Sequence, residues 1–475
     1  MKNFIFILVI LIIFSLVIVF QVKKNDILKI NKSNFQIYEN QKPTFIENSN
    51  EIYVLFNEKS QKYHKIDCEY AKIAHNFKRI SLKEAQKLGT PCKICFSKSQ
   101  NSICYKNLYF IQDAMEFVSI NPKLYLKPSY TRVTPVNQLL LKSINEAKNT
   151  IDIAMYEFDN DKMIINALKN AQNRGVKIRI IVDNSPNKDD FNQKNEKIGD
   201  FFELKTDKNC EANAIMHNKF LIVDNNTVIT GSTNITHNDM SGFNCNNLIK
   251  IRSISLARAY EEQFEDMFNG HFHRQKTADS SYKIPFGKNK IWVYFSPQAK
   301  IIDNALIPQI LNAKKSIYIP IFFLTEDNFV NALMSAHKRG VAIKIILDAT
   351  AGRNPSTKHE KLRKAGIKVK VENWAGKMHQ KAMIVDDTVI IGSMNFSNSG
   401  NLKNDENCLI IKNIALANQY QKHFLELYNS IPDKCLYQNP APEGADSPGS
   451  CSDGIDNDYN GLIDAKDKKC QNYKQ

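Results

Sequence analysis

Two short stretches place an imidazole, an ammonium and a carboxylate at one common spacing: Met216-His-Asn-Lys-Phe-Leu-Ile-Val-Asp224 and Met378-His-Gln-Lys-Ala-Met-Ile-Val-Asp386. In an extended strand, residues two apart face the same side, so His217 is expected beside Lys219 and His379 beside Lys381. After each comes a turn and a return strand, Val228-Ile-Thr-Gly-Ser-Thr-Asn234 and Val389-Ile-Ile-Gly-Ser-Met-Asn395, which add Ser232 with Asn234 and Ser393 with Asn395. Such a set suits a phosphate: a nucleophile or acid, a cation, and neutral donors for the remaining oxygens. Two sets suit a two-step displacement. One histidine attacks phosphorus to form a phosphohistidine while the other protonates the leaving oxygen, and the second then activates water. No metal is required at phosphorus, so no catalytic cofactor is expected. Asp224 and Asp386 stay among the site candidates, although each begins a turn, where an aspartate side chain commonly caps backbone N–H groups.

The elements that must position these residues show as a repeat. Ile144-Asn-Glu-Ala-Lys-Asn-Thr-Ile-Asp-Ile-Ala-Met-Tyr-Glu-Phe158 lays over Ile310-Leu-Asn-Ala-Lys-Lys-Ser-Ile-Tyr-Ile-Pro-Ile-Phe-Phe-Leu324. Asn166 to Asp183 likewise lays over Asn331 to Asp348, with the same placement of Ala, Arg-Gly and Asp. Gly175 and Gly340 stand where a helix C-cap glycine belongs, and the Val/Ile runs after them read as buried strands. A strand–helix–strand unit present twice predicts an α/β fold of two similar domains, each a largely parallel or mixed sheet faced by helices.

With both His-x-Lys-x4-Asp motifs followed by Gly-Ser-x-Asn, residues 107–430 resemble the phospholipase D superfamily. The resemblance implies a bilobed pseudo-twofold unit with one site at the interface, His217 as nucleophile and His379 as acid, the reverse order remaining open. In that family a downstream acidic residue often orients a histidine. Glu406, in Asn404-Asp-Glu-Asn407, fits that position, whereas the first half carries Asn246 in Asn244-Cys-Asn-Asn247. The two histidines are therefore expected to differ in basicity.

The flanks divide the rest of the chain. Phe4 to Val22 is almost unbroken Ile, Leu, Val and Phe, and Leu16 to Val22 has no small residue for signal cleavage, which predicts a transmembrane anchor over residues 1–24. Residues 25–50 read as a linker and 51–104 as a small module. There His64, Cys68, Cys92 and Cys95 have the spacing of a structural zinc site in a zinc-ribbon-like fold, resembling the zinc module of the Ada DNA-repair proteins, with disulfide pairing the alternative. Domains 105–274 and 288–432 follow, joined by a polar linker, 275–287. In the tail, 433–475, Asp456, Asp458, Asn460, Asp464 and Asp467 resemble a calcium loop bracketed by Cys451 and Cys470. Cys210, Cys245 and Cys408 read as core thiols. Lys23, Lys24, Lys29 and Lys32 point the chain after the anchor to the cytoplasm, but the exported-type tail outweighs them, so the catalytic part is expected outside the cytoplasm.

At 475 residues the chain exceeds one ordinary core. The net charge of +15 favours polyanionic partners: nucleic acid or anionic lipid. The expected activity is a phosphodiesterase, with a nuclease on DNA or RNA favoured and a phospholipase D or cardiolipin-synthase-like enzyme on phospholipids the alternative. A catalytically silent binding protein is disfavoured while both His-Lys pairs are intact.

Overall fold

In each copy of the repeat an amphipathic helix, Lys162–Asn173 or Asp327–Lys338, runs into an Arg-Gly pair and then a strand. Both glycines take φ of 91°, a left-handed turn that favours a residue without a Cβ. The arginines are used as well: Arg174 donates to the carbonyls of Ile144, Asn145 and Ala147, and Arg339 to those of Ile310 and Leu311, so each satisfies the open end of the preceding helix. The computed structural model describes residues 53–64, 77–92 and 107–471, apart from 160, 185–188, 209, 212 and 288. The chain divides into two compact units, residues 1–103 and 104–475.

In the first unit, β1 (Tyr53–Asn57), β2 (Lys62–His64), β3 (Phe77–Ser81) and β4 (Thr90–Pro91) form one sheet in the order β3-β1-β2-β4. Tyr63 pairs with Pro91, which brings His64 and Cys92 to adjacent positions, both buried. Cys68 and Cys95 lie outside the described residues, so the expected zinc set is seen only as this half. The expected membrane anchor requires correction. Among the described residues no helix is long and apolar enough to cross a membrane, and residues 1–24, which carried the expectation, lie outside them.

The second unit holds the duplication. Its first sheet comprises β5 (Leu108–Gln112), β6 (Met115–Ser119), β7 (Thr150–Met155), β8 (Lys177–Val182), β9 (Glu203–Thr206), β10 (Lys219–Val223), β11 (Thr227–Gly231) and β12 (Asn247–Arg252). The second comprises β13 (Ser281–Phe286), β14 (Asn289–Ser296), β15 (Ser316–Ile321), β16 (Ala342–Leu347), β17 (Lys368–Val371), β18 (Ala382–Val385), β19 (Thr388–Gly392) and β20 (Glu406–Lys412). The orders are the same element for element, β5-β6-β12-β11-β10-β7-β8-β9 and β13-β14-β20-β19-β18-β15-β16-β17. Parallel pairing is confined to β7-β8-β9 and β15-β16-β17, so both sheets are mixed. Of the segment expected as a linker, Ser281–Phe286 is the edge strand β13.

Each sheet is covered on both faces. Phe220 and Ile222 of β10 and Ala382 and Ile384 of β18 enter one shared cluster with the helices Ile254–Phe268 and Ile414–Ser430. The alternate residues serve separate outer cores: Leu221 and Val223 in one lobe, Met383 and Val385 in the other. Burying a large apolar side chain is worth about 2 kcal/mol. A cluster drawn from both lobes therefore holds their relative position, on which the site depends.

Candidate active site

Two isolated parallel bridges cross between the lobes, Met216 with Asp405 and Met378 with Cys245. The His217 N–H donates to the Asp405 carbonyl at 2.9 Å and the His379 N–H to the Cys245 carbonyl at 3.0 Å. Each motif histidine is thus anchored by the backbone of the opposite lobe. This departs from the sequence expectation, because β10 begins at Lys219 and β18 at Ala382, leaving both histidines just ahead of their strands.

The side chains repeat the exchange. Nδ1 of His217 meets the Glu406 carboxylate at 2.9 and 2.8 Å, and Nδ1 of His379 meets Oδ1 of Asn246 at 3.0 Å. Both partners accept, so Nδ1 carries the proton on each ring and Nε2 is left for chemistry. The serines support these partners. Ser393 Oγ donates to Glu406 at 2.6 Å and Ser232 Oγ donates to Asn246 at 2.8 Å, while each hydroxyl accepts the next backbone N–H, from Asn407 and Asn247. Both serines are fully buried, so their expected place among the donors to phosphate is corrected to bracing the residue behind the opposite histidine. The preceding glycines make room for this: a Cβ at Gly231 would lie 2.3 Å from the Asn247 carbonyl oxygen, and one at Gly392 2.1 Å from that of Asn407.

Lys219 and Lys381 fold back onto the carbonyls of their own histidines, at 2.8 and 2.7 Å. Burial lowers Lys219 to about 8 against the pull of Glu406, Asp239, Glu157 and Asp183. Burial and the neighbouring Lys219 lower Lys381 well below the usual range. Burial also raises Glu406 to about 7, opposed by Lys219 and by its hydrogen bonds. His379 is held well below the ordinary imidazole range by burial and by Lys381, Lys219, His217 and Lys377. A bound phosphate would favour the charged forms of Lys219, Lys381 and His379, which burial in the free site disfavours. Asn234 and Asn395 complete the symmetry, each with a buried Oδ1 that has no partner among the described residues.

Asp224 and Asp386 are bonded away from the histidines. The Asp224 carboxylate accepts N–H groups of Lys148, Asn149 and Thr150, and that of Asp386 those of Lys314, Lys315 and Ser316, so both tie a hairpin turn to the start of a neighbouring strand. The acidic side chains of the tail are tied into its own fold. Asp464 is committed to the N–H groups of Asp453 and Gly454, Asp467 to Asn460 and Lys469, and Asp458 to Arg353 and Lys469. Asp456 and Asp458 of the expected set come together with Glu443, one ligand atom of each lying within 4.8 Å of the others. Cys451 and Cys470 do form a disulfide.

Sequence reasoning missed three kinds of residue. Tyr156 packs its ring 4.7 Å from that of His217, and Phe322 lies 5.6 Å from His379. Asp183 and Asp348 accept the N–H groups of Met216 and Met378 at 2.8 and 3.0 Å, fixing the residue before each histidine. For these the repeat itself was the available signal, since each pair occupies matching positions. Asp239, 3.5 Å from Nδ1 of His379, has no such counterpart.

Two lobes that each lend the other a partner for a His-Lys pair define a duplicated phosphodiesterase with one composite centre. The family described as "Cardiolipin synthase, PLD-like domain" matches residues 140–268 and 306–428, and the chain belongs to this phospholipase D superfamily of phosphodiesterase-type enzymes. It is 31% identical to a phospholipase D of Rickettsia felis over 182 residues, 36% of this chain and 89% of that one. A cardiolipin synthase of Clostridium perfringens is 25% identical over 389 residues, 74% of this chain and 80% of that one. Phosphatidylserine synthase of Haemophilus influenzae shares the fold, with a TM-score of 0.51 at 14% identity over 70% of this chain and 92% of that one.

Proposed function

We propose that the protein cleaves or exchanges phosphodiester bonds of phospholipids. The cross-lobe pairing of His217 with Glu406 and His379 with Asn246 supports the chemistry. The relatives named phospholipase D and cardiolipin synthase support a phospholipid substrate over the nucleic acid favoured from the sequence. Nε2 of His217 attacks phosphorus as the bond to the leaving alcohol breaks, and His379 gives its proton to that oxygen. His379 then takes a proton from water or an acceptor alcohol, whose oxygen displaces Nε2 of His217. Lys219, Lys381, Asn234 and Asn395 hold the non-reacting oxygens, and Glu406 stabilises the imidazolium character that His217 gains on attack.

The test is turnover by the full-length protein, with EDTA present, of phosphatidylglycerol and cardiolipin vesicles beside DNA and RNA, with His217→Ala and His379→Ala as controls. Lipid turnover lost in both variants is expected. Cleavage of nucleic acid without lipid turnover would make the enzyme a nuclease and overturn the lipid assignment.

A further inference from the structure

Glu406 of the second lobe serves His217, but the first lobe offers His379 only the neutral Asn246 from the matching position. We propose that Asp239 supplies the missing charge and is a positioning residue for proton donation by His379. This rests on the reading of His379 as the acid. Asp239 Oδ2 lies 3.5 Å from His379 Nδ1, and the carboxylate is 2% exposed. It is aimed by its neighbours: Oδ2 accepts the N–H of Asn234 at 2.8 Å and Oδ1 accepts from the Asn244 amide at 2.6 Å. Asn234 belongs to the Gly-Ser-x-Asn motif, so the carboxylate is tied to the catalytic framework itself.

The second lobe has no such device and no room for one. At the same offset from its motif asparagine, Asn395, stands Gly400, where an added Cβ would lie 2.7 Å from the Asn395 carbonyl oxygen. Each lobe therefore carries one carboxylate for the other's histidine, by two different routes. The second route has a job to do. His379 is surrounded by Lys381, Lys219, His217 and Lys377, all of which oppose its protonated form, and an acid must keep its proton until the leaving oxygen takes it. Asp239 is the carboxylate beside the ring: burial raises it, and the hydrogen bonds from Asn244, Asn234 and Asn246 together with Lys381 favour its charged form against that.

The experiment compares Asp239→Asn, alone and combined with Asn246→Glu, on two esters: phosphatidylglycerol, whose alkoxide leaving group needs a proton, and bis(p-nitrophenyl) phosphate, whose leaving group does not. Asp239→Asn is expected to lower kcat on the lipid about 10-fold or more. It should spare release of nitrophenol in a single turnover, the step in which that leaving group needs no proton. The limb on which kcat falls as pH rises should move down by about one unit. Asn246→Glu should recover the lipid activity by recreating the second-lobe arrangement. Equal losses on both esters with an unmoved limb and no recovery would overturn the proposal. His379→Ala, measured as release of the leaving group in a single turnover before water enters, separates the two claims: if that variant slows release from both esters equally, His379 is not the acid and the underlying reading fails instead.

Discussion

The Glu406 carboxylate of one lobe holds Nδ1 of His217 of the other at 2.8 Å, and neither group keeps more than a sliver of solvent exposure. The pair fixes the tautomer and balances charge developing on the ring. Glu406→Gln keeps the shape, removes the charge and is expected to lower kcat about 100-fold with little change in KM, read from steady-state lipid turnover.

Gly392 precedes Ser393 because its strand must pass against Asn407. Gly392→Ala places a Cβ where the Asn407 carbonyl oxygen stands, next to Glu406. The expected outcome is a loss of about 1–3 kcal/mol in urea unfolding together with a fall in kcat, since the displaced segment carries the partner of His217.

Asp224 separates architecture from chemistry. Its carboxylate takes three backbone N–H groups far along the chain from the histidines, so Asp224→Ala should cost about 1–3 kcal/mol of stability. kcat of the protein that remains folded should be unaltered. A matching loss of kcat at constant folded fraction would return Asp224 to the site.

His273 gives a pH signature. Its ring sits between Asp405 at 2.9 Å and Asp207 at 3.4 Å; burial opposes its charge, but the two carboxylates outweigh burial and raise it to about 9. A folded-state pKa above the unfolded value near 6.5 stabilises the fold fully below about pH 6.5, and the gain is lost as pH rises through 9. The loss should be on the order of 3 kcal/mol between those limits. Urea midpoints from pH 6 to 10 measure it, and His273→Gln should flatten the curve.

Much of this was readable in the residues. The duplicated helix-Gly-strand pattern fixes local structure because a left-handed glycine ends each helix and an apolar run must then be buried. The paired motifs named the histidines and the lysines as candidates, since their chemical types and spacing repeat, and the family resemblance added Glu406. The anchor and the calcium loop were read from local sequence alone, which says which side chains are near in sequence but not which partners each carboxylate takes in the fold.

The sequence by itself determined a twofold α/β repeat and the inventory of groups fit for phosphodiester chemistry, because period and spacing are local properties of the chain. Tertiary structure alone decided the partnerships. Glu406 reaches His217 across 189 positions, Asn246 reaches His379 across 133, and the motif serines turn from substrate donors into braces. Asp239 enters the site without any counterpart in the repeat. Hydrogen bonds and charge pairing act through space, and only the packing of two lobes against one shared core brings these groups within reach.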